Sequence, residues 1–544
     1  MLNGDLEPGL AVVATSVALF LAFLGILTRR SSRPPTPPGP KSSWFGLGRP
    51  DIPRISPWRT YMEWGNIYGD MIFYRAYGGP ILIINSAKIA DDLLDKRGAI
   101  YSSRPVRTMT RELMGWRWSL AGMRYGNTWR RYRGLFQKHF HSRATPHYEP
   151  IEVKGVQTLL RNLHRAPNEF EHHLRRNAAA LVMKISYGHD VAEDGDAYVT
   201  LAEKAMWSLT HAGIYGTYLV DYLPILKHVP TWLPGAGFKR KAFEWRKLSL
   251  AMLERPFEMV KQRMASTSSG TAVPCVAVTE LERSSNSVIK TDVKMIQGIA
   301  AISYAGTSTE PADLRTSSAG ADTVSSDTVA AILTFLLAMT LNPDIQYTAQ
   351  AEIDRVVGTD RLPTFDDRDQ LPFVTRIMWE ALRWNPVTPL SVPHATVQDD
   401  IYQGYLIPKG TTIQPNVWAM FHDESKYPDS FRFEPNRYED LKKNAELGIN
   451  ELPMIGFGFG RRVCPGRWLA LDNVWITIAS ILAVYNVVKV KDDNGREIEP
   501  AMEFTTESIF AYFHAHRSRP EPFKCSFAAR SDAALALIKQ TIDD

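Results

Sequence analysis

Phe457-Gly-Phe-Gly-Arg-Arg-Val-Cys-Pro-Gly466 decides how this chain is read. One cysteine sits in a glycine-rich loop directly before Arg467 to Tyr485, an apolar-rich run that predicts a long helix. Gly458, Gly460 and Gly466 permit backbone conformations closed to other residues, so main-chain N–H groups can turn toward the Cys464 sulfur. The N-terminus of the following helix, with Arg461 and Arg462, is expected to stabilise a thiolate, the form of cysteine that binds metal. An isolated cysteine is ordinarily a small buried hydrophobe. Here the whole spacing argues for a ligand. The loop is not a dinucleotide-phosphate turn, because both G-x-G-x-x-G registers fail, with Arg461 and Val463 where the third glycine should stand.

The pattern Phe457-x-x-Gly460-x-Arg462-x-Cys464-x-Gly466 resembles the haem-binding signature of the cytochrome P450 haem-thiolate monooxygenases, and the match is complete. The resemblance implies a mainly α fold with a smaller β region (α+β) and haem b as cofactor. It makes Cys464 the proximal axial ligand of the iron, whose thiolate pushes electron density onto the metal. Arg462 is then expected to hold a haem propionate.

Three other places fit the same family. Glu380-Ala-Leu-Arg383 puts opposite charges at i and i+3 on one helical face, ordinarily a surface pair. Followed by Phe433-Glu-Pro-Asn-Arg-Tyr438 and then the cysteine loop, it resembles the family's buried Glu-Arg-Arg network, with Arg437 as third member and a structural role for all three. Trp129 and Arg133 in Asn127-Thr-Trp-Arg-Arg-Tyr-Arg133 share a helical face, and His394 lies in Ser391-Val-Pro-His-Ala395. By resemblance these residues meet the haem propionates, for which arginine, histidine and indole N–H donors are suited.

Ala319-Gly-Ala-Asp-Thr-Val324, leading into Val329 to Leu341, resembles the family's distal, oxygen-activating helix. Splitting O₂ requires protons delivered into a mostly apolar pocket, and an acid beside a hydroxyl that orients water can relay them. Asp322 and Thr323 are the catalytic pair so implied, although such a pair in isolation is ordinarily a helix cap. The sequence departs from the family just upstream. Between Ile299-Ala-Ala-Ile-Ser-Tyr-Ala-Gly306 and Ala319 stand Pro311 and many Ser and Thr residues, which oppose helix. Ala-Gly occurs at 305 and again at 319, and removing the 14 residues 306–319 restores an unbroken ISYAGADTVSS. The segment is read as a translated intron or a family-atypical insertion. If it is retained, the chain could be a non-catalytic haem-binding membrane protein. A haem-thiolate isomerase or dehydratase is the other alternative, although that chemistry needs no Asp322-Thr323 relay.

At the other end, Leu10 to Leu27 carries no charge and at ~1.5 Å per residue just spans a hydrocarbon core of roughly 30 Å. Arg29, Arg30 and Arg33 follow it, whereas only Asp5 and Glu7 precede it, which places the body in the cytoplasm. The expected organisation is a luminal N-terminus and transmembrane anchor over 1–28, a basic, proline-rich stiff spacer over 29–50, and one haem-binding catalytic domain over 51–544. Within the body, Trp58 to about Asn85 predicts hairpin strands, Ala87 to about Arg355 a mostly helical stretch, and Ile401 to Ile413 short strands.

Lys and Arg number 63 against 58 Asp and Glu, a spread net charge of +5 that is too weak for a nucleic-acid footprint. The three cysteines, Cys275, Cys464 and Cys525, are too far apart for a disulfide scaffold or a zinc ribbon. No flavin, iron–sulfur or nicotinamide motif is visible, so the resemblance implies electrons from NADPH through a separate cytochrome P450 reductase, with cytochrome b5 as a further donor, on the endoplasmic reticulum membrane. Arg130, Arg131, Lys138, Arg461 and Arg467 are expected to dock its acidic face. Glu112-Leu-Met-Gly-Trp116 and Phe238-Lys-Arg-Lys-Ala242 are similar to stretches of basidiomycete members, which implies secondary metabolism or xenobiotic oxidation and a lipophilic small-molecule substrate.

Overall fold

Ser56-Pro57 opens the first helix, α1 (Pro57–Tyr68), with proline at a position where its missing N–H is no loss. Trp58 and Tyr61, three residues apart, bury one face of it. The aromatic residues here had predicted strands; helical spacing prevails, and the strands begin only at Met71. The structure, a computed structural model, describes residues 34–41, 50–53, 55–76, 79–212, 218–266, 273–287, 291–305, 327–446, 453–505, 507–510 and 515–540. The apolar segment 10–27 and the pair Asp322 and Thr323 lie outside the described residues, as do 306–326 as a whole.

A four-stranded sheet forms from β1 (Met71–Ala76), β2 (Gly79–Ile84), β3 (His394–Ala395) and β6 (Thr412–Pro415), in the order β1-β2-β6-β3. β1 and β2 are the expected hairpin, with Met71 opposite Ile84, while β6 runs parallel to β2 with Thr412 opposite Ile81. The sheet therefore joins residues more than 300 positions apart. β4 (Asp400–Tyr402) pairs with β5 (Tyr405–Ile407), β7 (Tyr485–Lys489) with β10 (Cys525–Ala529), and β8 (Glu507–Phe510) with β9 (Ala515–Arg517). The proline-rich stretch 34–41 does not stand off from this region. Its Pro38 carbonyl accepts from Phe73 N–H at 2.9 Å and its Pro35 carbonyl from Leu406 N–H at 2.8 Å.

The long helices make up the rest: α2 (Asn127–Phe140), α3 (Glu149–Arg165), α4 (Phe170–Tyr187), α5 (Ala197–Ala212), α6 (Gly237–Ser266), α7 (Val276–Asn286) and α8 (Val293–Ala305) come first. After residues 306–326 follow α9 (Asp327–Leu341), α10 (Pro343–Val356), α11 (Pro372–Trp384), α12 (Arg467–Val484) and α13 (Asp532–Gln540). α9 is apolar all round and buried from Val329 to Thr340, as a helix surrounded by other helices must be. It turns by 106° at Asn342 into α10, whose first residue is Pro343. α9, α11 and α12 share the largest apolar cluster, through residues such as Phe335, Ile377 and Ile478. Among the described residues one helix, α12, is long and apolar enough to cross a membrane, and 67% of it is buried inside the protein as a core helix. The mainly helical fold with a smaller β part is the one expected.

Candidate active site

The loop before α12 is shaped by its glycines. Gly458 and Gly460 have φ of 91° and 49°, and a Cβ on Gly460 would lie 2.3 Å from the Leu94 carbonyl oxygen, so only glycine fits. Buried Phe459 anchors the loop in the core, and Cys464 N–H donates to the Phe457 carbonyl at 2.7 Å. The chain then enters α12. Gly466 N–H is directed at the Cys464 sulfur, as the glycine spacing predicts.

The cations near that sulfur are not the ones expected. Arg462 donates instead to the carbonyls of Ser102 and Met123, both at 2.7 Å, and lies 4.3 Å above the Trp129 ring. Arg461 turns to the Tyr125 hydroxyl. Arg133 and Arg467 are the positive charges that act on Cys464, because α2 and the first turn of α12 bring them there. Burial outweighs them and pushes the thiol pKa up, with Asp327 adding to the rise, so the cysteine by itself is a neutral thiol. Binding a metal cation would deprotonate it.

Cys464, Trp129, Arg133, His394 and Arg462 all line one cavity of about 360 Å³, so the structure brings together every predicted cofactor residue. Its floor and walls are apolar, from Phe136, Leu181, Val182, Leu469 and Val474. Its polar rim is strongly positive. Burial, then Arg104 and Arg133, push Arg462 down to about 8, and burial lowers Arg133 to about 10. His394 is held well below the usual imidazole range by burial, then by Arg104 and Arg462, and its Nδ1 bonds the Tyr101 carbonyl at 3.0 Å. Among the described residues neither Arg133 nor Arg462 has a carboxylate partner. A rim of buried cations beside a thiol and above apolar walls fits haem, whose propionates would neutralise the rim while the ring fills the apolar space.

Arg104 belongs to the same rim and was not singled out from the sequence. Its Nη1 donates to the Val392 and Pro393 carbonyls, both at 2.7 Å, and burial pushes it down to about 9. These partners lie nearly 290 positions away in the chain, so no local pattern marks it. Asp327 and Thr328, at the start of α9, also line the cavity, opposite the end of α8 at Ile302 and Ser303. The sequence signal was present, since Asp-Thr recurs five residues after Asp322-Thr323.

Glu380, Arg383 and Arg437 lie away from the cavity, in a network of their own. Arg383 grips Glu380 through two bonds of 2.8 Å, Arg437 Nε donates to the same carboxylate at 3.0 Å, and Glu434 N–H completes it at 2.9 Å. Glu380 and Arg383 are fully buried, and the carbonyls of Phe421 and Ser430 each accept a further guanidinium proton at 2.8 Å.

The comparisons with known proteins agree with this geometry. The family model described as cytochrome P450 matches residues 37–509. Cytochrome P450 monooxygenase 208 of Postia placenta is 40% identical over 98% of this chain and 97% of its own length. Tryptamine 4-monooxygenase of Psilocybe cyanescens is 36% identical, covering 93% of this chain and 95% of its own. A zebrafish cytochrome P450 solved with abiraterone has a TM-score of 0.64 at 19% identity, covering 87% of this chain and 100% of that one, which shows the shared fold. Members of the family generally require a redox partner and act on lipophilic molecules, and eukaryotic members are commonly membrane-associated. Cavity, cysteine loop and relatives together place the chain in the cytochrome P450 family, as a monooxygenase that uses haem b, O₂ and electrons derived from NADPH.

Proposed function

We propose that Cys464 is the axial thiolate of the haem, that Arg104, Trp129, Arg133, His394 and Arg462 hold its propionates, and that the chain oxidises a lipophilic small molecule of fungal secondary metabolism or a xenobiotic. The observation that carries this reading is Cys464 lining the same cavity as a rim of buried cations. When bound, haem supplies the activation of O₂, placing one oxygen atom in the substrate and the other in water at the expense of two electrons and two protons. The protein's own residues orient and seal the site. Phe136, Leu181 and Leu469 exclude water, and the Gly466 N–H fixes the sulfur. Asp322 and Thr323 are assigned proton delivery on the sequence pattern. The Glu380–Arg383–Arg437 network holds α11 against the segment 421–437, and we assign it to assembly of the cofactor core, not to chemistry.

The finer setting is proposed on the same terms. NADPH–cytochrome P450 reductase, with cytochrome b5, delivers electrons to the face that carries the exposed Arg130, Arg131, Lys138 and Arg461, and a single N-terminal span holds the domain on the cytoplasmic side of the endoplasmic reticulum. Tryptamine, from the name of one relative, belongs in a first substrate screen and carries no further weight.

The test is the carbon monoxide difference spectrum of the dithionite-reduced membrane protein, in the full chain, in a 306–319 deletion and in Cys464→Ser. A red-shifted Soret band in the full chain, lost in Cys464→Ser, is the expected result. The same band surviving in Cys464→Ser would overturn the ligand assignment. A band seen only in the deletion would identify residues 306–319 as a retained intron. Oxygen consumption that depends on reductase then separates a monooxygenase from an isomerase, which needs neither, and from a binder that turns nothing over.

A further inference from the structure

Glu152, at the end of the first turn of α3, has 0% of its surface exposed, and neither of its carboxyl oxygens has a hydrogen-bond partner. Among the described residues no other carboxyl group has both oxygens buried and unpartnered. Its surroundings are acidic. Asp472 acts on it from α12, which packs against α3, and Glu149 acts from one turn earlier on its own helix. Arg368, of the turn Phe365–Gln370, is the one cation acting on it, and that guanidinium is spent on Asp472, to which its Nη1 donates at 2.7 Å. α4, α13 and the turns on either side of α3 also pack on this helix, and no charged group of theirs acts on Glu152. A carboxylate ion here would be stripped of water, unpaired and beside two like charges. Burial, followed by Asp472 and Glu149, accordingly holds the group well above the usual carboxylate range. The N-terminal end of α3 favours an anion by far less than burial of an unpaired one costs.

The place of this group matters as much as its chemistry. Val156, Leu159 and Leu160 of α3 share one apolar cluster with Val474 and Ile478 of α12. Leu471 and Val474, on either side of Asp472, line the cavity that Cys464 also lines. A charge appearing on Glu152 therefore acts on the turn of α12 that forms part of the cavity wall. We propose that Glu152 is a proton-operated catch: protonated, it lets α3 lie against α12, and on losing its proton to alkaline solution it repels Asp472 and loosens α12 from α3. The sign of the effect follows from linkage. An unfolded glutamate ionises near its ordinary value of roughly 4.3, so above that pH the unfolded chain sheds a proton that the folded chain keeps, and stability falls as pH rises until Glu152 ionises in the fold.

The inference does not depend on the monooxygenase reading, and its test does not read activity. The full-chain holoenzyme in detergent is unfolded in urea from pH 5 to pH 9 and followed by tryptophan fluorescence, as wild type, Glu152→Gln and Glu152→Met, neither of which can ionise at this position. Both variants should have the higher urea midpoint at pH 8, and the gap to the wild type should widen as pH rises and go on widening past pH 7. Native-state hydrogen exchange of the α12 backbone amides, read by mass spectrometry as protection factors, reports the catch itself. Between pH 7 and pH 9 the wild type should lose at least ~10-fold more protection there than either variant, since each pH unit between the two ionisations is worth up to about tenfold. A gap that ignores pH, a gap that stops widening below pH 7, or protection that falls equally in all three proteins would each overturn the proposal. If Glu152→Gln fails to fold, Glu152→Met decides the question; failure of both at pH 8 would also overturn it, because removing the acid is expected to relieve this interface.

Discussion

Gly460 tolerates no side chain, and Gly466, six residues on, tolerates one. A Cβ at 460 would meet the Leu94 carbonyl at 2.3 Å in a backbone already at φ 49°, whereas a Cβ at 466 meets nothing within 4 Å. Gly460→Ala should therefore destabilise the protein by at least about 2 kcal/mol and lower the haem-to-protein ratio on purification, while Gly466→Ala leaves the folding stability unchanged. Equal behaviour of the two would refute the steric argument. His422 offers a pH test. It is buried, stacks on Trp418 with centroids 4.0 Å apart, and burial followed by Arg383 pushes its pKa down to about 3. An unfolded imidazole protonates near its ordinary value of roughly 6.5, so below that pH the unfolded chain gains a proton that the folded chain refuses. The stability it contributes is whole above about 6.5 and is lost as pH falls toward 3. The urea midpoint should drop between pH 7 and pH 5, and His422→Phe should flatten part of that drop. At this scale the sequence told much. Cys464, Gly458 and Gly460 were legible because the loop is local, whereas Gly466, expected to need a conformation closed to other residues, sits at φ −95°, which any residue adopts. The cations acting on the sulfur were misassigned because neighbours in sequence, Arg461 and Arg462, point elsewhere, and Arg133 arrives from another helix.

Among the elements, α11 shows how one segment is completed by another. Its first N–H groups have no side-chain cap of their own; the Glu352 carboxylate of α10 accepts from Phe373 N–H at 3.0 Å and Val374 N–H at 3.1 Å. Glu352→Ala should cost about 1 kcal/mol, seen as a lower urea midpoint. The other end of α11 carries the charge network, where Glu380→Gln leaves Arg383 and Arg437 buried without their anion and should cost about 3–5 kcal/mol. A fall below 1 kcal/mol would mean the network is dispensable. Glu380 and Arg383 were readable as a pair from their spacing, whereas the Glu352 cap joins residues 21 apart on different helices and leaves no pattern. The error at α1 has a simple cause. Aromatic residues favour strands on average, but Pro57 and the three-residue spacing of Trp58 and Tyr61 carried the helical signal.

Over the whole molecule, exposed cations are the feature that bears on a redox partner, and two of them, Arg130 and Arg461, meet at the Tyr125 ring. Arg130, Arg131, Lys138 and Arg461 are exposed. Reversing Arg131 and Lys138 to Glu should slow reduction by the reductase about 10-fold at low salt and much less at high salt, measured by stopped-flow absorbance. A rate that ignores both charge and salt would move the docking face elsewhere. The architecture itself was legible from the distribution of apolar runs, but the parallel pairing of β2 with β6 was not, because it brings Ile81 to Thr412 and register across such a distance is written in no single stretch. The positive rim of the cavity has a consequence beyond chemistry. Arg133 and Arg462 are buried with no acid of their own among the described residues, so a newly made polypeptide without its prosthetic group carries two partly desolvated charges that no anion neutralises. Such a chain opens more often and is cleared sooner by the quality-control proteases. The amount of this enzyme in a cell should then follow the iron and porphyrin supply as closely as it follows transcription, and its half-life should shorten when porphyrin synthesis is blocked.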